Sequence, residues 1–180
     1  LPKENKSTIA ERRAFLGRGM AGSVIRNMIY DLYLEDKKMR DTLLAGKKRL
    51  SNSDKQTLNE TSPLQKLQNN LRSTFFSQLE IEPFSEDFHT VLKIYERKLI
   101  QDDGELIVLP KSKYTPRDII TQGSGYLQWL SIFSILYSSN IDILLLDEPD
   151  AHLHASLQSE LLNQLRQAVE NDQEKQILVS

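Results

Sequence analysis

The sequence predicts an α/β fold on three observations. Residues 143–146, Ile-Leu-Leu-Leu, form a short aliphatic run of the kind that fills a parallel strand buried on both faces. Apolar residues recur at helical spacing before and after that run. Between residues 89 and 113, two β-rich runs flank Gln101-Asp102-Asp103-Gly104, and Asp-Gly in such a setting signals a hairpin.

The elements follow in chain order. From residue 22 to about 44, Val24, Ile25, Met28, Ile29, Leu32, Leu43 and Leu44 recur at mostly helical intervals, which predicts one or two amphipathic helices. Residues 51–62 are polar and carry Ser51-Asn52-Ser53-Asp54 and then Thr61-Ser62-Pro63, a loop or a helix start. Leu64, Leu67, Leu71, Phe75 and Leu79 fall on one stripe and predict a helix across residues 64–79. The hairpin joins Val91-Leu92-Lys93-Ile94-Tyr95 to Glu105-Leu106-Ile107-Val108-Leu109. Gly123-Ser124-Gly125 then opens an apolar helix over residues 126–137, and Asn140 ends it before the aliphatic strand. Leu153, Leu157, Leu161, Leu165 and Val169 repeat every fourth position, so a further helix packs one face back on the sheet. Residues 176–180 read as a second buried strand, and a boundary falls near residues 110–120.

Composition narrows the class. A formal charge of -2 over 180 residues gives no bulk attraction for nucleic acid or membranes. Cysteine is absent, which removes disulfides and thiolate metal sites and suits a reducing cytoplasm, the expected location. No apolar stretch approaches the roughly 20 residues that span a bilayer. The chain begins Leu-Pro-Lys-Glu and ends within a predicted strand, as expected of a piece of a longer protein.

The chemistry concentrates at Asp147-Glu148-Pro149. In an open α/β sheet, ligands bind beyond the carboxyl ends of the strands, where Asp147 is expected. Magnesium takes oxygen ligands and usually holds phosphate oxygens and waters with one or two protein carboxylates. Asp147 suits that ligand role, and Glu148 can orient or deprotonate a water. The plain alternative is a turn whose two carboxylates cap the next helix or face solvent. Pro149 stops the strand, since it has no N–H for a ladder and disfavours helix at Glu148.

These residues resemble a known family. Ile143-Leu144-Leu145-Leu146-Asp147-Glu148-Pro149 looks like the Walker B motif of ATP-binding-cassette ATPases with its catalytic glutamate. Asp150-Ala151-His152-Leu153-His154 resembles the D-loop of a subgroup, the ATPase domains of overcoming-lysogenization-defect (OLD) nucleases and related anti-phage and DNA-repair ATPases. That subgroup usually has proline after the second histidine, where this chain has Ala155. Gly123-Ser124-Gly125-Tyr126-Leu127-Gln128 stands in the place of the signature motif, although its glutamine comes one position later than in transporter-type chains. The turn also has physics of its own: small residues let a backbone approach, and a helix start aims N–H groups at a phosphate.

The resemblance implies an α/β, partial ATP-binding-cassette-like (P-loop NTPase) domain with a helical insertion and a β-hairpin. Residues 1–115 are expected to form the insertion and hairpin. Residues 116–180 are expected to carry the signature helix, Walker B strand, D-loop and the following helix and strand. It implies ATP and Mg2+ as cofactors, Asp147 as metal ligand and Glu148 as catalytic residue. Gly123, Ser124, Gly125, Gln128, Asp150, His152 and His154 are expected at the nucleotide across a homodimer contact. The intact protein is expected to hydrolyse ATP there, coupled to nucleic-acid processing, a nuclease partner or anti-phage defence, with no membrane contact. An ATP-driven clamp with little turnover and a metal-dependent nuclease are the alternatives.

Other motifs carry less. His152 and His154 straddle one leucine, whereas a zinc site needs three or four converging ligands. Gly17-Arg18-Gly19-Met20-Ala21-Gly22 matches a dinucleotide fingerprint, yet residues 7–13 before it are polar and charged rather than a strand. Ala45-Gly46-Lys47-Lys48 imitates the end of a phosphate loop, but Asp41 stands where its first glycine belongs, and Lys48 where Ser or Thr belongs. The basic clusters at residues 37–40 and 47–49 are interleaved with Glu35, Asp36 and Asp41 and read as a solvated face that could also meet DNA phosphates. These 180 residues therefore lack the lysine and backbone cradle that phosphoryl transfer needs, the Walker A lobe, and the chain alone is expected to be inactive.

Overall fold

A computed structural model describes residues 21–85, 91–151, 153–171 and 175–180. The periodicity at the start produces one helix, α1 (Ala21–Leu44), with Val24, Ile25, Met28, Ile29 and Leu32 buried along one face. Asp36, one turn beyond that stripe, is also buried. It accepts hydrogen bonds from Ser62 Oγ (2.7 Å), Gln65 Nε2 (3.0 Å) and the Arg40 Nε. A buried carboxylate needs such partners.

The polar stretch after α1 is a helix rather than a loop. Ser51 and Asp54 form a capping box, with Asp54 N–H donating to Ser51 Oγ (3.1 Å) and Ser51 N–H to Asp54 Oδ2 (2.9 Å), and α2 (Asn52–Thr61) follows. Only Leu58 of α2 is buried, so apolar periodicity had little to show there. Ser62 ends α2 and caps α3 (Pro63–Phe75), with Pro63 in the first turn, where a missing N–H costs nothing.

Helix α3 stops earlier than its leucine stripe suggests. Phe76 takes a left-handed conformation (φ 48°), and Leu79, expected on the helix, lies in β1 (Ser77–Ile81). The Gln68 side chain, buried on α3, meets Leu79 twice: Nε2 donates to the Leu79 carbonyl (2.9 Å) and Oε1 accepts the Leu79 N–H (2.8 Å). The amide occupies the place of a neighbouring strand.

β1 pairs antiparallel with β2 (Ile94–Asp102), with Leu79 opposite Glu96. β2 turns through Asp103 (φ 46°) and Gly104 (φ 83°) into β3 (Glu105–Val108), the hairpin predicted by Asp-Gly. The two-residue strand β4 (Arg117–Asp118) pairs with β2 and completes a four-stranded sheet. Asp118 then accepts the Ile120 N–H (3.1 Å) and starts a short 3-10 turn, Ile119–Thr121.

The central helix α4 (Ser124–Leu136) is apolar nearly all round and buries Trp129, Leu130, Ile132, Phe133 and Leu136. Trp129 Nε1–H donates to Asn70 Oδ1 at 2.6 Å, and Asn70 Nδ2 donates to Gln164 Oε1 at 3.1 Å. Phe75 meets the indole edge-on and Phe133 lies 4.9 Å from it, centroid to centroid. One buried cluster runs from Ile25 and Leu67 through Trp129 to Leu144 and Leu161.

β5 (Ile143–Leu146) and β6 (Gln176–Val179) pair in parallel, with Leu146 opposite Val179, and α5 (Ala155–Glu170) crosses between them. The expectation that β5 is buried on both faces is not met. Leu144 is 8% exposed and packs on the core, while Ile143 and Leu145 on the other face are 58% and 70% exposed, beside Leu178 at 61%. Nor is β6 buried, for Val179 is 47% exposed. Helices α4 and α5 supply packing to one side of this pair, and among the described residues nothing covers the other.

The Trp129 indole supplies a stability test. Asn70→Leu keeps bulk but leaves the buried N–H without an acceptor, so unfolding in urea is expected to shift by about 1–3 kcal/mol. Combined with Trp129→Phe, which removes that N–H, the loss is expected to be less than additive.

Candidate functional site at the carboxyl end of β5

The parallel register brings Asp147 and Ser180 together beyond the ends of β5 and β6. Ser180 N–H donates to the Leu146 carbonyl (3.0 Å), Glu148 N–H donates to the Ser180 carbonyl (3.3 Å), and Ser180 Oγ donates to Asp147 Oδ1 (2.6 Å). Asp147 and Glu148 are both exposed, so each carboxylate is open to an incoming ligand. Among the described residues, no group of three or more His, Cys, Asp or Glu side chains could cage a metal. An acidic pair without further ligands suits magnesium that is shared with phosphate oxygens.

Glu148 adopts φ +43°, left-handed backbone that costs an L-residue roughly 1–2 kcal/mol. A residue before proline is normally extended, so this is a second departure. Three contacts hold the turn that follows. Ala151 N–H donates to the Glu148 carbonyl (3.1 Å), Leu153 N–H donates to the Asp150 carbonyl (2.9 Å), and Gln128 Nε2 donates to the Pro149 carbonyl (2.8 Å). Gln158 Nε2 reaches the Asp150 and Leu153 carbonyls at 3.4 Å. Pro149 and Leu153 are buried and anchor the turn, while Asp150 remains exposed.

His154 caps α5, accepting at Nδ1 from Ser156 N–H (3.4 Å), with Ser156 Oγ 3.1 Å away. This ties one ring nitrogen to the helix start, a placement the sequence pattern did not reveal. His152 lies outside the described residues, as do residues 17–20 of the glycine-rich match near the start.

Gly123, Ser124 and Gly125 lie where α4 begins. Among the described residues no side chain caps that helix, Gly123 and Ser124 are exposed, and a Cβ added at Gly123 would meet nothing within 4 Å. First-turn N–H groups of a helix have no partner within the helix, so an uncapped, open start offers them to an anion. Two contacts fix its position. Arg26 Nη2 lies 2.7 Å from both carboxylate oxygens of Asp118, just before the 3-10 turn. Tyr126 packs edge-on against Phe75 and lies 3.5 Å from Ser77 Oγ, and burial pushes its phenol well above the usual range, so it stays protonated.

Gln128 is the side chain that joins the glycine turn to the acidic pair, through Pro149. Ser180, Gln158, Arg26 and Asp118 escaped the sequence reading. Ser180 was accessible in principle, since a parallel neighbour of β5 in the correct register must end beside Asp147. A cleft of about 920 Å3 lies elsewhere: lined by Lys66, Asn69, Asp142, Gln167, Asn171 and Lys175, it borders the amino ends of β5 and β6. At about 3.3 Å per residue it sits roughly 15 Å from Asp147.

The strain at Glu148 has a measurable sign. Glycine normally costs about 0.5–1 kcal/mol relative to alanine within regular structure. At this position Glu148→Gly is expected to be more stable than Glu148→Ala by about 1 kcal/mol, because glycine alone adopts left-handed backbone freely. Chemical denaturation of the two variants checks it; alanine the more stable would contradict the left-handed assignment.

No curated protein and no solved structure matches the chain. No helix among the described residues is long and apolar enough to cross a membrane. A family model described as "AAA domain, putative AbiEii toxin, Type IV TA system" matches residues 26–180. That span holds both sheets, the open start of α4 and the acidic pair on β5, and the chain belongs to this family of AAA-type, P-loop ATPase domains.

Proposed function

We propose that this chain is the Walker B half of an ATP-binding-cassette-type ATPase of the OLD group, which hydrolyses ATP at a composite site between two copies. The observation that carries this reading is the exposed Asp147–Glu148 pair at the end of a parallel strand, with Asp147 oriented by Ser180. Asp147 holds Mg2+, directly or through water, and Glu148 positions the attacking water and takes its proton. Bound magnesium neutralises charge developing on the phosphate oxygens.

Gly123, Ser124 and Gly125, at the open start of α4, meet the γ-phosphate of ATP bound to the partner. Asp150 and His154 line the contact between copies, and His152 belongs to the same stretch. The lysine and glycine-rich cradle come from residues not in this sequence. The uncovered aliphatic face of Ile143, Leu145 and Leu178 gives such a lobe something to pack against. In this reading residues 116–180 form the nucleotide-binding portion and residues 1–115 the insertion. The family description, with its toxin and its toxin–antitoxin system, supports a defence role. In this reading closure controls a nuclease or acts on nucleic acid.

In the intact protein with its P-loop, Glu148→Gln is expected to lower phosphate release at least 100-fold, the usual range for losing a general base, while ATP-bound dimers accumulate on size-exclusion chromatography. Retained turnover would refute the hydrolytic role. Lost turnover with biological effect intact would establish the clamp instead. The 180 residues alone are expected to bind ATP weakly, and tight magnesium-dependent binding by calorimetry would contradict a missing cradle.

A further inference from the structure

We infer that Gln128 is a positioning residue that links the phosphate-facing start of α4 to the setting of Glu148, so that ATP held across the dimer contact governs hydrolysis in the chain's own site. This rests on the roles proposed above for Ser124 and Glu148. Gln128 follows Ser124 by four residues, so both lie on one face of α4. From that face, Nε2 crosses to the Pro149 carbonyl at 2.8 Å, one residue after Glu148.

The turn it grips requires outside support. A non-glycine residue in left-handed backbone persists only where its surroundings over-determine it. The turn's internal bonds are Ala151 N–H to the Glu148 carbonyl and Leu153 N–H to the Asp150 carbonyl, and Pro149, with no N–H, adds none. The Gln158 contacts to the same turn are longer, at 3.4 Å, and originate from α5 on the other side. Two glutamines thus grip the turn from outside its own backbone bonds, and the shorter contact comes from the helix whose start faces the phosphate.

The Gln128 amide is secured at one end. Nε2 faces the Pro149 carbonyl, since the flipped amide would set two oxygens against each other, and among the described residues the buried Oε1 has no hydrogen-bond partner. An anion drawn to the N–H groups of Ser124 and Gly125 acts on α4 as a rigid unit. Gln128 transmits a shift of that helix to Pro149 and so to the Glu148 carboxylate. The device needs no contact between Gln128 and ATP.

The test uses the intact, P-loop-containing protein and Gln128→Met, which keeps the side-chain volume and removes the donor. Expected are a fall in kcat of about tenfold with KM for ATP within about twofold, the signature of an interaction felt at the reaction rather than in binding. Amide exchange at Ala151 and Leu153 should rise, and Gln128→Lys, which restores a donor, should return kcat to within about threefold of the parent. Should Gln128→Met fail to fold, Gln128→Glu is read by the same criteria. A kcat unchanged within twofold, or lost equally in Gln128→Lys, would overturn the coupling. Glu148→Gln run beside them separates the two failures: if it still turns over ATP, the catalytic reading is wrong, and if it is dead while Gln128→Met is normal, only the coupling is.

Discussion

The parallel pairing of β5 with β6 is the constraint on which the site depends. Side chains alternate between sheet faces, so a slip of one residue would turn Leu144 out of the core and bring Leu145 into it. The same slip would separate Ser180 from Asp147. Burial of one leucine therefore sets the position of a serine beyond the end of the ladder, and packing and chemistry share a single register. The pair is apolar on both faces and, among the described residues, covered on one.

Where apolar periodicity and turn chemistry agreed, the fold was legible in the sequence. Helices α1, α4 and α5 lie close to their leucine and isoleucine stripes, and Asp103-Gly104 makes the expected hairpin turn. Two elements were hidden for physical reasons. Helix α2 rests on a capping box and one buried leucine, so its signal lay in Ser51 and Asp54 rather than in a stripe. Strand β1 was concealed because Leu79 continues the spacing of α3 by coincidence, while the break is made by the left-handed Phe76, a residue with no propensity for that conformation. Exposure of Ile143 and Leu145 was also unreadable, because composition reports what a strand can bury and not what lies against it.

For the site, the acidic pair and the glycine turn were visible because each is contiguous. What escaped was everything assembled across distance. Ser180 reaches Asp147 over 33 positions and Gln128 reaches Pro149 over 21, contacts that no local pattern encodes. His154 drew attention as a polar residue beside carboxylates, and its ring turned out to cap the next helix as well. Strain at Glu148 could not be foreseen, since the proline that follows argues for extended backbone.

The Gln68 amide seated on Leu79 has an effect beyond holding α3 to its sheet. An open strand rim is a template on which a foreign chain can add, the usual route to runaway aggregation. By taking both main-chain groups of Leu79, one side chain blunts the β1 rim there at the cost of a single buried glutamine. Any recruitment of an extra strand is thereby steered to the opposite rim, where β3 carries exposed Leu106, Ile107 and Val108.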